Sequence, residues 1–170
     1  MGSCGHFTSN TLIDAGFVLY RKNKSDLKIE FLLLQKSKDS WGSAKGHVEE
    51  DESEYETAVR KAKEEMNLEE GKDFTTIPDF KHGIGYEINN AEDGHKIYLV
   101  NLWLGEIIST NCQVKLSSEY QGYKWVDLDN AIEHFGTNPR DKCWIACLKR
   151  CSEIIEETRS SKLNSIISSN

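Results

Sequence analysis

The sequence predicts an α/β protein whose mixed β-sheet is sandwiched between helices. Three observations point there. Runs of branched and aromatic residues recur with strand-like spacing between Ala15 and Val126. Two segments carry helix start signals: Ser53 with Glu56 three residues later, and Asn138 directly before Pro139. Strands interleaved with helices call for a sheet covered on both faces, and 170 residues suffice for one such domain with its own core. The expected layout is a flexible leader over 1–11, one domain over 12–158 and a disordered, serine-rich tail over 159–170.

Taken in order, Ala15–Arg21 (AGFVLYR) and Lys28–Lys36 (KIEFLLLQK) read as strands joined by the polar link RKNKSDLK. Phe31–Leu34 is apolar on both faces, so this strand belongs inside the sheet. A polar loop over Lys36–Asp39 leads to Trp41. The capping box at Ser53 and Glu56 starts a helix near Glu54, with Tyr55, Ala58, Val59, Ala62 and Met66 on one stripe. Asn67 stands where a left-handed residue commonly closes a helix. Asp79–Glu87 and His95–Gly105 read as an antiparallel pair, with Asp93-Gly94 supplying the tight turn. Glu119–Val126 is a further short strand with its entry, and Asp127–Phe135 a short helix or turn. From Asn138-Pro139 a last helix runs to about Glu157, burying Trp144, Cys147, Leu148, Cys151, Ile154 and Ile155.

The formal charge of −7 argues against a broad grip on a nucleic acid backbone, so no long nucleic acid is an expected partner. No apolar run approaches the length of a membrane span. Five cysteines, Cys4, Cys112, Cys143, Cys147 and Cys151, follow no paired-knuckle spacing. With no secretory signal pattern, a cytoplasmic chain with reduced thiols is expected. Cys143, Cys147 and Cys151 share one helix side but spread too far to converge on one ion, so they read as small buried thiols. Gly2 and Cys4 present a weak lipidation pattern, broken by His6, against which a loose leader is the plainer reading. A monomer is favoured.

The chemistry concentrates between Gly46 and Leu68. Lys61, Glu64 and Glu65 lie three and four residues apart on the flank of the buried stripe, with Glu65 closest to it. Two carboxylates at a helix rim beside a glycine turn suit a hard cation such as Mg2+, which takes oxygen ligands and bridges to phosphates. The plainer alternative is a solvated acidic face.

Gly46, Glu52, Arg60, Ala62, Glu64, Glu65 and Leu68 together resemble the Nudix box: Gly, five residues, Glu, seven residues, Arg-Glu, an aliphatic, any residue, Glu-Glu, any residue, Gly, an aliphatic. Lys61 departs where that family carries Glu, and Asn67 where it carries Gly. The flanks, Trp41 with Lys45-Gly46-His47-Val48-Glu49, Phe31–Gln35, and Leu116-Ser117-x-Glu119-x-Gln121-x-Tyr123-Lys124-Trp125, resemble the asymmetrical dinucleoside tetraphosphate hydrolases. Ser43-Ala44 replaces a Pro-Pro pair of that group, and Ser118 and Tyr120 replace two histidines.

The resemblance implies a Nudix-like fold and Mg2+, with Mn2+ as a substitute, held by Glu64, Glu65, Glu119 and the carbonyl of Gly46. Glu64, Glu65 and Glu119 would be catalytic, while Glu52 and Arg60 brace the loop against the helix. Lys45, Lys81, His82 and Lys96 would contact phosphates, and Tyr86 and Tyr123 would sandwich an adenine. The implied partner is a small nucleoside polyphosphate, hydrolysed to a mononucleotide and a triphosphate. Lys61 removes a negative charge and adds a positive one, so a nucleotide binder impaired in hydrolysis is the alternative.

Overall fold

The computed structural model describes residues 10–92 and 94–169. Gly2, Cys4 and most of the leader lie outside them, as does Asp93 of the expected turn. The elements, in order, are β1 (Thr11–Lys22), β2 (Ile29–Ser37), β3 (Ser40–Gly42), β4 (Lys45–His47), α1 (Glu54–Met66), β5 (Phe74–Thr76), β6 (His82–Asn90), β7 (Gly94–Ile107), β8 (Gly122–Val126), α2 (Leu128–Glu133) and α3 (Pro139–Ile167).

The strands form one mixed sheet. β1 and β7 run parallel from Thr11↔Ile97 to Tyr20↔Glu106, and the other named pairings are antiparallel. Side chains alternate between the two faces. On one face Phe17, Leu19, Leu32 and Leu34 pack with Ala58, Ala62 and Met66 of α1. On the other, Phe31, Leu33, Val100, Leu102 and Leu104 pack with Trp144, Cys147, Leu148, Cys151 and Ile155 of α3. The helix–sheet–helix sandwich and both expected helical stripes are therefore present.

What positions the site is a fork in the sheet. β1 and β2 pair only over Tyr20–Lys22 and Ile29–Phe31. Beyond that, β1 takes β4 as its neighbour at Asp14, Ala15 and Gly16, while β2 takes β3. Phe31 pairs with both Tyr20 and Val126, and Leu34 with both Tyr123 and Gly42, so β3 continues on the edge β1 has left. Ser43 and Ala44, both buried, carry the chain across. The crossing is tight at Gly16, where an added Cβ would lie 2.2 Å from the carbonyl oxygen of Ala44. β4 and β5 are three residues each, too short for a residue pattern to reveal.

Several boundaries differ from expectation: β1 already begins at Thr11, four residues before Ala15, and β6 runs on past Glu87 to Asn90. β6 starts at His82 instead of Asp79, because Pro78 and the left-handed Asp79 (φ 59) turn the chain first. α3 does not stop near Glu157 with a disordered tail after it, but continues to Ile167. No proline or glycine interrupts RSSKLNSII, and the hydroxyls of Ser161 and Ser165 donate back to the carbonyls of Glu157 and Lys162. Among the described residues no helix is long and apolar enough to cross a membrane.

Candidate active site

Helix α1 is fixed at both ends by its sequence. Ser53 Oγ accepts from the Glu56 amide and the Glu56 carboxylate accepts from the Ser53 amide, completing the capping box. At the other end Asn67 adopts φ 57, ψ 34, and the amides of Asn67 and Leu68 return to the carbonyls of Lys63 and Ala62. This anchored helix presents Arg60, Lys61, Glu64 and Glu65 toward the loop that leaves β4.

Arg60 ties that loop down. Its Nε donates to Glu52 Oε2 at 3.0 Å, Nη2 donates to the carbonyl of His47 at 3.2 Å, and Nη1 reaches Glu64 Oε2 at 3.2 Å. Thr57 Oγ1 adds a 2.7 Å bond to Glu52. The Arg60 guanidinium first, then the Thr57 hydroxyl, hold the Glu52 carboxyl down to about 2.

Glu65 is 2% exposed. Its carboxylate accepts the hydroxyl of Tyr120 at 2.6 Å, and its backbone carbonyl accepts the amide of Ser117. With the Lys115 amide on Met66 O, these bonds lay the loop before β8 along the end of α1 and bring Glu119 to the rim. Burial, then the bond to Glu65, raises the Tyr120 hydroxyl far above the ordinary tyrosine range, so it stays a donor.

Lys61 Nζ sits 2.9 Å from Glu65 Oε1 and 3.3 Å from Glu64 Oε2. Its stem lies on the backbone of Gly46, where a Cβ would meet Lys61 Cε at 2.3 Å. Burial opposes the ammonium charge, but the bonds and charges of Glu65 and Glu64 outweigh it and raise the Lys61 pKa. The Glu64 carboxyl shifts down for the matching reason: Arg60 and Lys61 overcome its desolvation.

A resident cation thus lies where the family resemblance puts a divalent one. The oxygen donors are of the right chemical kind for Mg2+. Yet Glu65 is engaged by Lys61 and Tyr120, and Glu64 by Lys61 and Arg60. Among the described residues no three His, Cys, Asp or Glu side chains converge as a metal cluster would. As folded, with the ammonium between the carboxylates, this donor set does not fit the ion.

Beside this centre a cleft of about 440 Å3 opens in the sheet fork. Lys45, Gly46, Lys61, Glu65, Tyr86 and Glu119, all expected site residues, line it. Tyr86 and Tyr98 stack with ring centroids 5.3 Å apart and planes 11° from parallel. Lys45 Nζ lies 5.9 Å above Tyr98 and bonds Asp14 Oδ2 at 2.6 Å. Asp14 is buried, and its Oδ1 lies within ion-pair reach of His47 Nδ1 without hydrogen-bond alignment.

Other expected site residues lie elsewhere. Tyr123 is in register with Leu34 on the α1 face, whereas Tyr86 is on the α3 face; the two rings stand on opposite sides of the sheet and cannot sandwich one base. Lys81 also turns to the α1 side, its Nζ 5.7 Å from the Trp103 ring. His82 shares the face of Tyr86 but is half-buried outside the cleft; desolvation and then the charge of Arg150 depress its pKa. Lys96 is paired in register with Ile88 and is not among the cleft-lining side chains. Glu64 stays at the helix rim, its side chain 49% exposed.

Sequence reasoning missed Asp14, Tyr98, Tyr120 and Arg140 as cleft residues. Two carried a signal. Asp14 is the one charge in the apolar run from Leu12 to Tyr20, and Tyr98 stands as far from the hairpin turn as Tyr86 does.

Comparison with known proteins identifies the family and agrees with the fold. A model described as NUDIX domain matches residues 11–148. The asymmetrical bis(5'-nucleosyl)-tetraphosphatase of Sus scrofa is 35% identical over 124 residues, covering 69% of this chain and 80% of the relative. That of Caenorhabditis elegans is 38% identical over 121 residues, covering 70% and 81%. The crystal structure of a C. elegans Ap4A hydrolase binary complex superposes with TM-score 0.69 at 33% identity, covering 86% of this chain and 98% of that one.

Proposed function

This chain belongs to the Nudix family, and from that premise we propose that it takes a nucleoside polyphosphate, a dinucleoside tetraphosphate first among the candidates. It cleaves that ligand asymmetrically to a mononucleotide and a triphosphate, slowly. The observation that carries the reading is one cleft combining a stacked tyrosine pair, Tyr86 and Tyr98, with Lys45 and the Lys61–Glu65 centre. A flat aromatic surface suits a purine, and the lysines suit the phosphate chain. The relatives named as tetraphosphatases support the same substrate class.

In this reading a base lies against Tyr86 and the phosphates point to Lys45 and Lys61. A water oxygen forms the new bond to phosphorus while the bridging P–O bond breaks and its electron pair leaves with the departing phosphate. Glu119, exposed at the rim, accepts the water's proton. Glu52 and Arg60 keep the loop from β4 seated beneath the phosphates. A divalent ion would supply charge neutralisation on the phosphates, but with Lys61 bonded to both, Glu64 and Glu65 do not offer their oxygens to one.

A second reading, nucleotide binding without hydrolysis, is favoured by one observation: the ammonium of Lys61 between both glutamates. Incubation with diadenosine tetraphosphate and Mg2+, with product chromatography, separates the two. Native protein is expected to give AMP and ATP more slowly than Lys61→Glu, by no more than the roughly 10²–10⁴ of a lost general base, because Glu119 retains that role. Product from neither protein, with binding retained in both, leaves only the second reading.

A further inference from the structure

We infer that Lys61 is a built-in counter-cation, so that this cleft binds the phosphate chain of its nucleotide without any divalent metal. The inference rests on the nucleoside polyphosphate reading above and adds how the phosphates are tolerated. Glu49, Glu52, Glu64 and Glu65 set four carboxylates against the cations of Arg60 and Lys61, leaving two net negative charges. With a glutamate in place of Lys61 the same six positions would carry four, and a polyphosphate would meet a strongly repulsive cluster unless a metal lay between. Lysine at this position changes the local charge by two and does so permanently.

The geometry holds the ammonium there. Its stem is seated on Gly46, its Nζ contacts both glutamates, and the residue lines the cleft on the side of Glu65 and Glu119. Glu65 cannot swing away to find another ion, because it is buried and bonded by Tyr120 as well. Lys45 supplies a second cation over Tyr98 in the same cleft. An incoming phosphate therefore meets two lysines in a cleft where Asp14 and Glu65 are already paired and Glu119 faces it from the rim.

Calorimetric titration with diadenosine tetraphosphate, in EDTA and in Mg2+, tests this together with electron paramagnetic resonance of Mn2+ alone. The native protein is expected to bind no tighter in Mg2+ than in EDTA and to leave Mn2+ free. Lys61→Gln is expected to weaken binding in EDTA about tenfold, as removal of one close charge does. Lys61→Glu is expected to take up Mn2+ and to need Mg2+ for the nucleotide. Native binding that appears only with Mg2+, or native Mn2+ uptake abolished by Glu65→Gln, overturns the inference and leaves the nucleotide reading standing. No native binding in either buffer overturns that reading and the inference with it. The Lys61→Gln arm decides the matter if Lys61→Glu fails to fold.

Discussion

Arg60 donates hydrogen bonds to three partners and forms an ion pair with Glu49, and the state of Glu52 is the measurable trace of that arrangement. A carboxyl held down to about 2 by its partners stabilises the fold above the ordinary carboxylate range, and loses that contribution as pH falls through the folded value. Melting curves of native protein and Glu52→Gln are therefore expected to differ fully above about pH 5 and to converge toward pH 2. A gap unchanged down to pH 2 contradicts this account. Tyr86 and Tyr123 separate just as cleanly. Tyr86→Leu keeps an apolar residue in the core but removes the stacking surface, and is expected to weaken nucleotide binding by about 5- to 150-fold. Tyr123→Leu, on the other face of the sheet and 42% exposed, is expected to leave titration curves unchanged.

α1 and α3 are both helices announced by their caps, yet they are held very differently. α1 is short, capped at both ends and buried along one stripe, so its register fixes where Lys61, Glu64 and Glu65 point. α3 is 29 residues long, and its stretch up to Ile155 does the packing through Trp144, Cys147, Leu148, Cys151 and Ile155. Its last turns stand out in solvent: Leu163, Ile166 and Ile167 are 59%, 63% and 65% exposed. What ties that end down includes the bond from Arg159 to the carbonyl of Leu27. Removing residues 159–170 is expected to lower helical circular dichroism while shifting the melting temperature by less than about 4 °C, under 1 kcal/mol for a chain this size. A larger drop would mean that these turns pack on the domain.

The molecule as a whole is a two-sided core wrapped on a sheet that opens at one end. β7 is the spine: it pairs with β1, β5 and β6, and its Leu102 and Leu104 are fully buried under α3. Leu102→Ala is expected to cost about 2–5 kcal/mol in denaturant unfolding, because close-packed neighbours relax only partly into the space left. A cost below 1 kcal/mol would show that the α3 side repacks freely. The strands that part at Tyr20 and Phe31 each find a new neighbour, and the opening keeps polar side chains such as Asp14 and Lys45 inside an otherwise apolar sheet.

Local chemistry was enough to announce much of this. The capping box at Ser53, the left-handed Asn67, the Asn138-Pro139 start and the apolar stripes of both helices follow from short-range hydrogen bonding and helical spacing, which depend on neighbours in sequence. The same short-range spacing brought Lys61 beside Glu64 and Glu65. Which face of the sheet each strand residue shows was not legible, since a single residue's shift in register sends a side chain to the other side. For that reason Tyr86 found Tyr98 and not Tyr123, and Lys81 lay away from the cleft. The parallel pairing of β1 with β7, and with it the fork that gathers Asp14, Lys45, Lys61 and Glu119, joins segments some eighty residues apart. Such contacts carry no local signature, and only the folded sheet decides them.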